Sequence, residues 1–387
     1  MTQGKAGVRL AALAAVLAVI ATGCGVLRPI RLDENPMERM TAAPLNLYTV
    51  DWWKELVTTK AVLEYAPREG AQPAVEPQSL RIATVTRDGY IRCFNAVGAL
   101  EWSYHTRGPF FSAGAFHQGT LYVPGGDGVL YAFEAETGKL LWKYEAGEEL
   151  VSGVAFTAKN VLVTSQTNTL FAVDSATGKW AWQYRRDMPS GYSIHGAATP
   201  VVRADAVYAG FADGHLVAIG ATDGTLRWDR ELSTGSQFVD VDSTPAFDKE
   251  GNLYAASYKN GLYALESATG ATLWHVDVPG ITGLTFADGI LISSGDERIS
   301  GYSTARGVQL WTKDVGHRAA YPSIVVGRYV LVPTAKSLLF LNASTGKQLQ
   351  SFDPGKGITA TPAVVGPHVY VLSNEGFLYA FRMNARG

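Results

Sequence analysis

A segment of about forty residues recurs along the chain, coupling a strand, a turn of small residues and a tryptophan that in the clearest copies falls five places after a threonine. The clearest copies are residues 130–142 (LYAFEAETGKLLW) and 170–182 (LFAVDSATGKWAW), and weaker ones end at Trp102, Trp228, Trp274 and Trp311. A period of this length filled with strands is what a four-stranded β-propeller blade requires. The large apolar position before each turn reads Phe94, Phe133, Val173, Ile219, Leu265, Tyr302, Leu341 and Phe381. These eight equivalents predict an all-β, eight-bladed propeller.

The position before it reads Cys93, Ala132, Ala172, Ala218, Ala264, Gly301, Phe340 and Ala380, small in all copies but one. Large and small residues in alternation mean two strand faces with unequal packing space. Counted from Trp53, the tryptophan register runs through Trp102, Trp142, Trp182, Trp228, Trp274 and Trp311 to Gln350, where the ring is missing. Trp53 has no complete blade before it and Phe381 no tryptophan strand after it. The two ends are therefore expected to share one blade and close the ring, removing the open sheet edges that invite aggregation.

The repeat overrides the two or three domains that 387 residues would otherwise suggest. The expected division is a signal peptide over 1–23, a lipidated N-terminus and flexible tether over 24–48, and the propeller over 49–384. Lys5 and Arg9 precede an uncharged run from Leu10 to Ile20, then Ala21-Thr22-Gly23-Cys24. The run is too short to span about 30 Å of hydrocarbon as a helix, and small residues before a cysteine have the form of a bacterial lipobox. Cys24 is thus the expected lipidation site, with Ala21 a departure from the usual Leu, Val or Ile. Gly25 stands where an aspartate would signal inner-membrane retention, so delivery to the outer membrane, with the propeller facing the periplasm, is expected. Residues 25–48, with Pro29, Pro36 and Pro44, lack a strand pattern and read as the tether.

Removing residues 1–23 takes away Lys5 and Arg9 and no acid, so the net charge goes from −2 to −4. That argues against nucleic acid as a partner. With Cys24 carrying lipid, Cys93 is the only other thiol and is read as a small buried residue. His105, His117, His195, His215, His275, His317 and His368 are scattered, with no pair at metal-ligand spacing. Glu134, Asp174 and Glu266 recur at one turn position and are read as structural. The chain is therefore not expected to be an enzyme, nor to hold a cofactor.

The stretch Ala172-Val173-Asp174-Ser175-Ala176-Thr177-Gly178-Lys179-Trp180-Ala181-Trp182 resembles the quinoprotein propeller repeat. That family includes dehydrogenases holding pyrroloquinoline quinone and calcium at the ring axis, usually beside two adjacent cysteines. This chain has no Cys-Cys pair.

A lipobox followed by one such propeller resembles the BamB family, the lipoprotein subunit of the β-barrel assembly machinery, over roughly residues 45–384. The most specific stretches are Asp187-Met188-Pro189-Ser190-Gly191-Tyr192-Ser193-Ile194-His195-Gly196 and Asp240-Val241-Asp242-Ser243-Thr244-Pro245. In that family the corresponding loops lie side by side on one face and bind the barrel-forming insertase. The resemblance therefore implies that Tyr192, Ile194, His195, Asp240 and Asp242 bind the partner. It also implies contacts with other assembly subunits and with unfolded outer-membrane proteins. His195 stands where the family has an arginine and cannot reproduce its bidentate fork. Two other classes fit the same fold: a quinone-dependent enzyme, and an envelope lipoprotein binding polysaccharide or a different membrane complex.

Overall fold

The alternating repeat builds a blade in the same way each time. Residues 115–145 fold as Ala115–His117, Thr120–Pro124, Val129–Glu134 and Leu140–Glu145, each strand antiparallel to the next. We call the four positions A to D. The computed structural model describes residues 46–57, 68–112, 114–189, 192, 198–235, 237–316 and 321–384. Among them, thirty-two strands form eight four-stranded sheets, so the eight-bladed propeller expected from the repeat is the fold of the chain. A strands of neighbouring blades contact one another around the centre. B and C strands are buried almost throughout, and D strands alternate between half-buried and exposed residues as edge strands do.

Seven blades are continuous in sequence. The eighth takes its A, B and C strands from Ala363–Val365, His368–Leu372 and Phe377–Met383, and its D strand from Tyr48–Glu55 at the other end of the chain. The ends thus close the ring as expected. Leu47 is already packed in the core at 1% exposure, and Tyr48 stacks on Phe381 at 4.7 Å between ring centres. The packed ring therefore begins just before the expected boundary at residue 49.

The tryptophan of this closing blade is Trp52, not Trp53. In the other D strands one residue bulges, so that Trp142 pairs with Ala132 while Leu140 pairs with Phe133. In the closing strand Asp51 is the bulged residue: Val50 pairs with Phe381 and Trp52 with Ala380. Counting from the second ring of the Trp-Trp doublet placed the register one residue late. Trp53 lies on the opposite face, 5.8 Å from Phe377.

Each tryptophan joins its blade to the next. Trp102 Nε1 donates to Ala135 O at 3.0 Å, and Trp52, Trp142, Trp228, Trp274 and Trp311 donate to the equivalent carbonyls at 2.8–3.1 Å. Trp182 Nε1 is buried with no such partner among the described residues. Beneath each ring lies the glycine of the next blade's turn. Gly138 has φ +70°, and a Cβ there would stand 2.4 Å from the Trp102 ring. Glycine is thus required twice, for its left-handed backbone and for close approach. The threonine before it caps the turn: Thr177 Oγ1 donates to Asp174 Oδ1 at 2.7 Å and Thr269 Oγ1 to Glu266 Oε2 at 2.5 Å. The recurring acids are therefore structural.

Gln350 explains the missing ring. The blade after it is the closing one, where chain ends replace the usual turn. There Leu47 presents a backbone N–H instead of a carbonyl, and Gln350 Oε1 accepts it at 3.1 Å. An indole, which only donates, could not.

Candidate functional site

D strands run from the face carrying the Thr-Gly turns to the face carrying the D-to-A connections. Two of those connections, residues 186–200 and 232–245, contain the candidate residues. Arg186 fixes the base of the first. Its Nε donates to Asp213 Oδ2 at 2.5 Å and its guanidinium to Asp229 Oδ2 at 2.7 Å, while His215 Nδ1 shares Asp229 Oδ1 at 2.6 Å. Burial alone would lower the Arg186 pKa, but the two carboxylates hold it well above its ordinary value. Asn168 braces the same corner, its Nδ2 donating to Asp187 O at 3.2 Å and its Oδ1 accepting from Ala212 N at 3.1 Å.

The second connection is tied to everything around it. Phe238 N donates to Tyr192 O at 2.9 Å, which joins the two loops directly. Val241 N donates to Phe211 O at 3.0 Å, and Tyr258 N to Asp240 O at 3.1 Å. The loop presses so closely on the strand Ala206–Gly210 that a Cβ at Gly210 would meet Val241 O at 2.1 Å.

These ties sort the expected site residues by depth. Tyr192 is 72% exposed, whereas Asp240 is fully buried at 0%. Asp242 lies between: the residue is partly exposed, but its Oδ1 is enclosed and has no hydrogen-bond partner among the described residues. Burial first, then the charges of Asp240 and Asp296, push its pKa up to about 7, against the pull of its own backbone amide. Ile194, His195 and Cys24 lie outside the described residues.

Sequence reasoning missed two aromatics. Phe238 is 44% exposed, and Tyr258 lies with its ring centre 6.4 Å away. With Gln237, Lys259 and Pro279 they line a groove of about 340 Å³. Phe238 also has φ +53°, a left-handed backbone that a bulky side chain rarely adopts. A large aromatic in the connection, at Phe238 beside Val239 and Val241, was the one signal available; its backbone conformation leaves no trace in composition.

The fit to a quinone can be tested on the one described cysteine. Cys93 sits in a C strand at 0% exposure, with its thiol pushed up to about 12 by burial. It packs as a small core residue and offers no stacking pair, so the residues present do not match the quinone-binding pattern.

The repeat, the eight sheets and the tryptophan-to-turn contacts define a propeller of the quinoprotein-repeat type. The solved crystal structure of BamB from Moraxella catarrhalis shares the fold, with a TM-score of 0.77 at 22% identity over 87% of this chain and 100% of that one. The quinohemoprotein alcohol dehydrogenase of Comamonas testosteroni also shares it, with a TM-score of 0.71 at 13% identity over 88% of this chain and 77% of that one. The family model described as outer membrane protein assembly factor BamB matches residues 87–297 and 295–386, and the chain belongs to that family. The outer membrane protein assembly factor BamB of Yersinia pestis is 28% identical over 200 residues, 49% of this chain and 50% of that protein. The chain thus spans about half the length of the curated relatives it matches.

Proposed function

We propose that this protein is a non-catalytic scaffold in the assembly of outer-membrane β-barrels, and that it binds the barrel insertase through the connections 186–200 and 232–245. Membership of the BamB family supports the process. The observation that carries the site is the Phe238 N–H to Tyr192 O bond, which makes two connections from successive blades into one surface with exposed side chains at its crest. Tyr192, Ile194, His195 and Asp242 are its contact residues, and Asp240, fully enclosed, supports the surface from beneath. A closed ring of tightly joined blades changes shape little and suits a platform for another protein.

Lipid on Cys24 would hold the propeller at the periplasmic side of the outer membrane. Tyr48–Glu55 is a D strand, so the chain enters the ring on the Thr-Gly turn face, opposite the candidate loops. An anchored tether would then leave that surface free for its partner and raise the local concentration of each for the other. Other assembly subunits and unfolded outer-membrane proteins are further partners in this reading.

The test is co-purification from gently solubilised envelopes. Tyr192→Asp alters an exposed side chain and spares the fold, which Asp240→Arg would not. A large outer-membrane barrel protein with periplasmic domains should elute with the wild type and be lost with Tyr192→Asp. Equal recovery with both would remove these loops as the binding site.

A further inference from the structure

The groove between Phe238 and Tyr258 has three features that its structural role leaves unexplained. The first is strain. A left-handed φ costs an L-residue about 1–2 kcal/mol, and such costs persist where the site has a use for them. Burial does not offset it here, since Phe238 keeps 44% of its surface in solvent. The second is an enclosed carboxylate close enough to Tyr258 to act on its charge. Burial, Asp240 and Asp296 all disfavour charge on Asp242, only its own backbone amide favours it, and its Oδ1 is enclosed without a hydrogen-bond partner among the described residues. The third is proximity. The Tyr258 hydroxyl donates to Asp296 Oδ2, and its pKa is pushed up to about 12 by that bond, by burial, and by the charges of Asp296 and Asp242. The groove wall and the acids are therefore neighbours. Lys259, on the groove's rim, is directed elsewhere, its Nζ donating to Thr234 O at 3.0 Å.

A group that complements both layers has an apolar stem and a cationic head. We propose that this groove takes a lysine or arginine side chain of the protein partner, with Phe238 and Tyr258 holding the stem and Asp242 receiving the charge. The inference rests on the proposed function, since the partner is the insertase of that reading. Aromatic faces attract such cations, and a carboxylate already removed from water pays little further desolvation when the cation arrives. Two connections and the Tyr258 turn meet here, so the groove is set in place before binding.

The test measures the affinity of the full chain for the purified periplasmic domains of the insertase, at low and high salt, for wild type, Phe238→Gly and Asp242→Asn. Glycine adopts the left-handed backbone without strain, so Phe238→Gly should keep or raise the melting temperature while weakening binding at least about tenfold. Asp242→Asn should weaken binding and flatten its salt dependence, because the lost contact is ionic. Wild-type affinity in Phe238→Gly, or an unchanged salt dependence in Asp242→Asn, would overturn the inference and leave the proposed function standing. No binding by the wild type would remove the proposed function, and the inference with it.

Discussion

Gly138 offers the sharpest test of how the blades are joined. Its φ of +70° alone should make Gly138→Ala cost about 1–2 kcal/mol. A Cβ there would also stand 2.4 Å from the Trp102 ring. The indole has little room to retreat, since its Nε1 is tied to Ala135 O at 3.0 Å. Overpacking of this kind adds about 1–3 kcal/mol, for a total of about 2–5 kcal/mol. Gly147 supplies the control: its φ is +75°, but nothing lies within 4 Å of its would-be Cβ, so Gly147→Ala should cost only the backbone component. Urea unfolding of both variants measures the difference, provided their slopes agree. In a Trp102→Leu background the extra cost at Gly138 should shrink, because the two residues share one contact. Equal losses at Gly138 and Gly147 would refute the view that each tryptophan is seated on its neighbour's glycine.

Gln350→Leu should leave the Leu47 N–H buried and unpaired, costing about 1–3 kcal/mol and speeding hydrogen exchange at Leu47 relative to the blade cores. Trp52→Phe should cost about 1 kcal/mol more than Trp53→Phe in chemical denaturation, because only Trp52 has a hydrogen bond to lose, to Ala96 O. Asp242, pushed from 3.8 up to about 7, keeps in the folded state a proton that the unfolded chain releases; this favours folding below about pH 4 and is lost as pH rises through about 7. Asp242→Asn cannot ionise, so its melting temperature should gain on the wild type as pH rises across that interval, and a pH-independent difference would refute the assignment.

What the sequence disclosed, and what it hid, follows from how each feature is encoded. Blade number and ring closure were legible because they repeat: a glycine and a tryptophan at seven of the eight junctions leave a periodic mark. Gln350 was visible as an exception but not as a reason, since the reason is a backbone N–H from residues three hundred positions away. Trp52 was hidden by its neighbour Trp53, because a one-residue bulge moves a side chain to the other face without changing composition. At the candidate site, chemistry was legible and depth was not. Asp240 and Asp242 read alike as loop acids, yet backbone bonds from Val241 and Tyr258 draw the first fully inside. Phe238 gave one aromatic letter beside Val239 and Val241, while its worth depends on the backbone angle and the tyrosine beside it.

The shared blade also sets an order of events. Tyr48–Glu55 lies among the first residues of the ring in chain order, and its partner Phe377–Met383 among the last. Every other D strand pairs with the strand just before it in the chain, but this one must wait for the whole repeat array to follow. Loop closure over such a separation is slow, and during the wait an apolar strand with a Trp-Trp doublet stands without its sheet. The mature ring, which has almost no vulnerable edge, is thus reached through an intermediate that has one. Its lifetime is set by the length of the chain rather than by the strength of any blade.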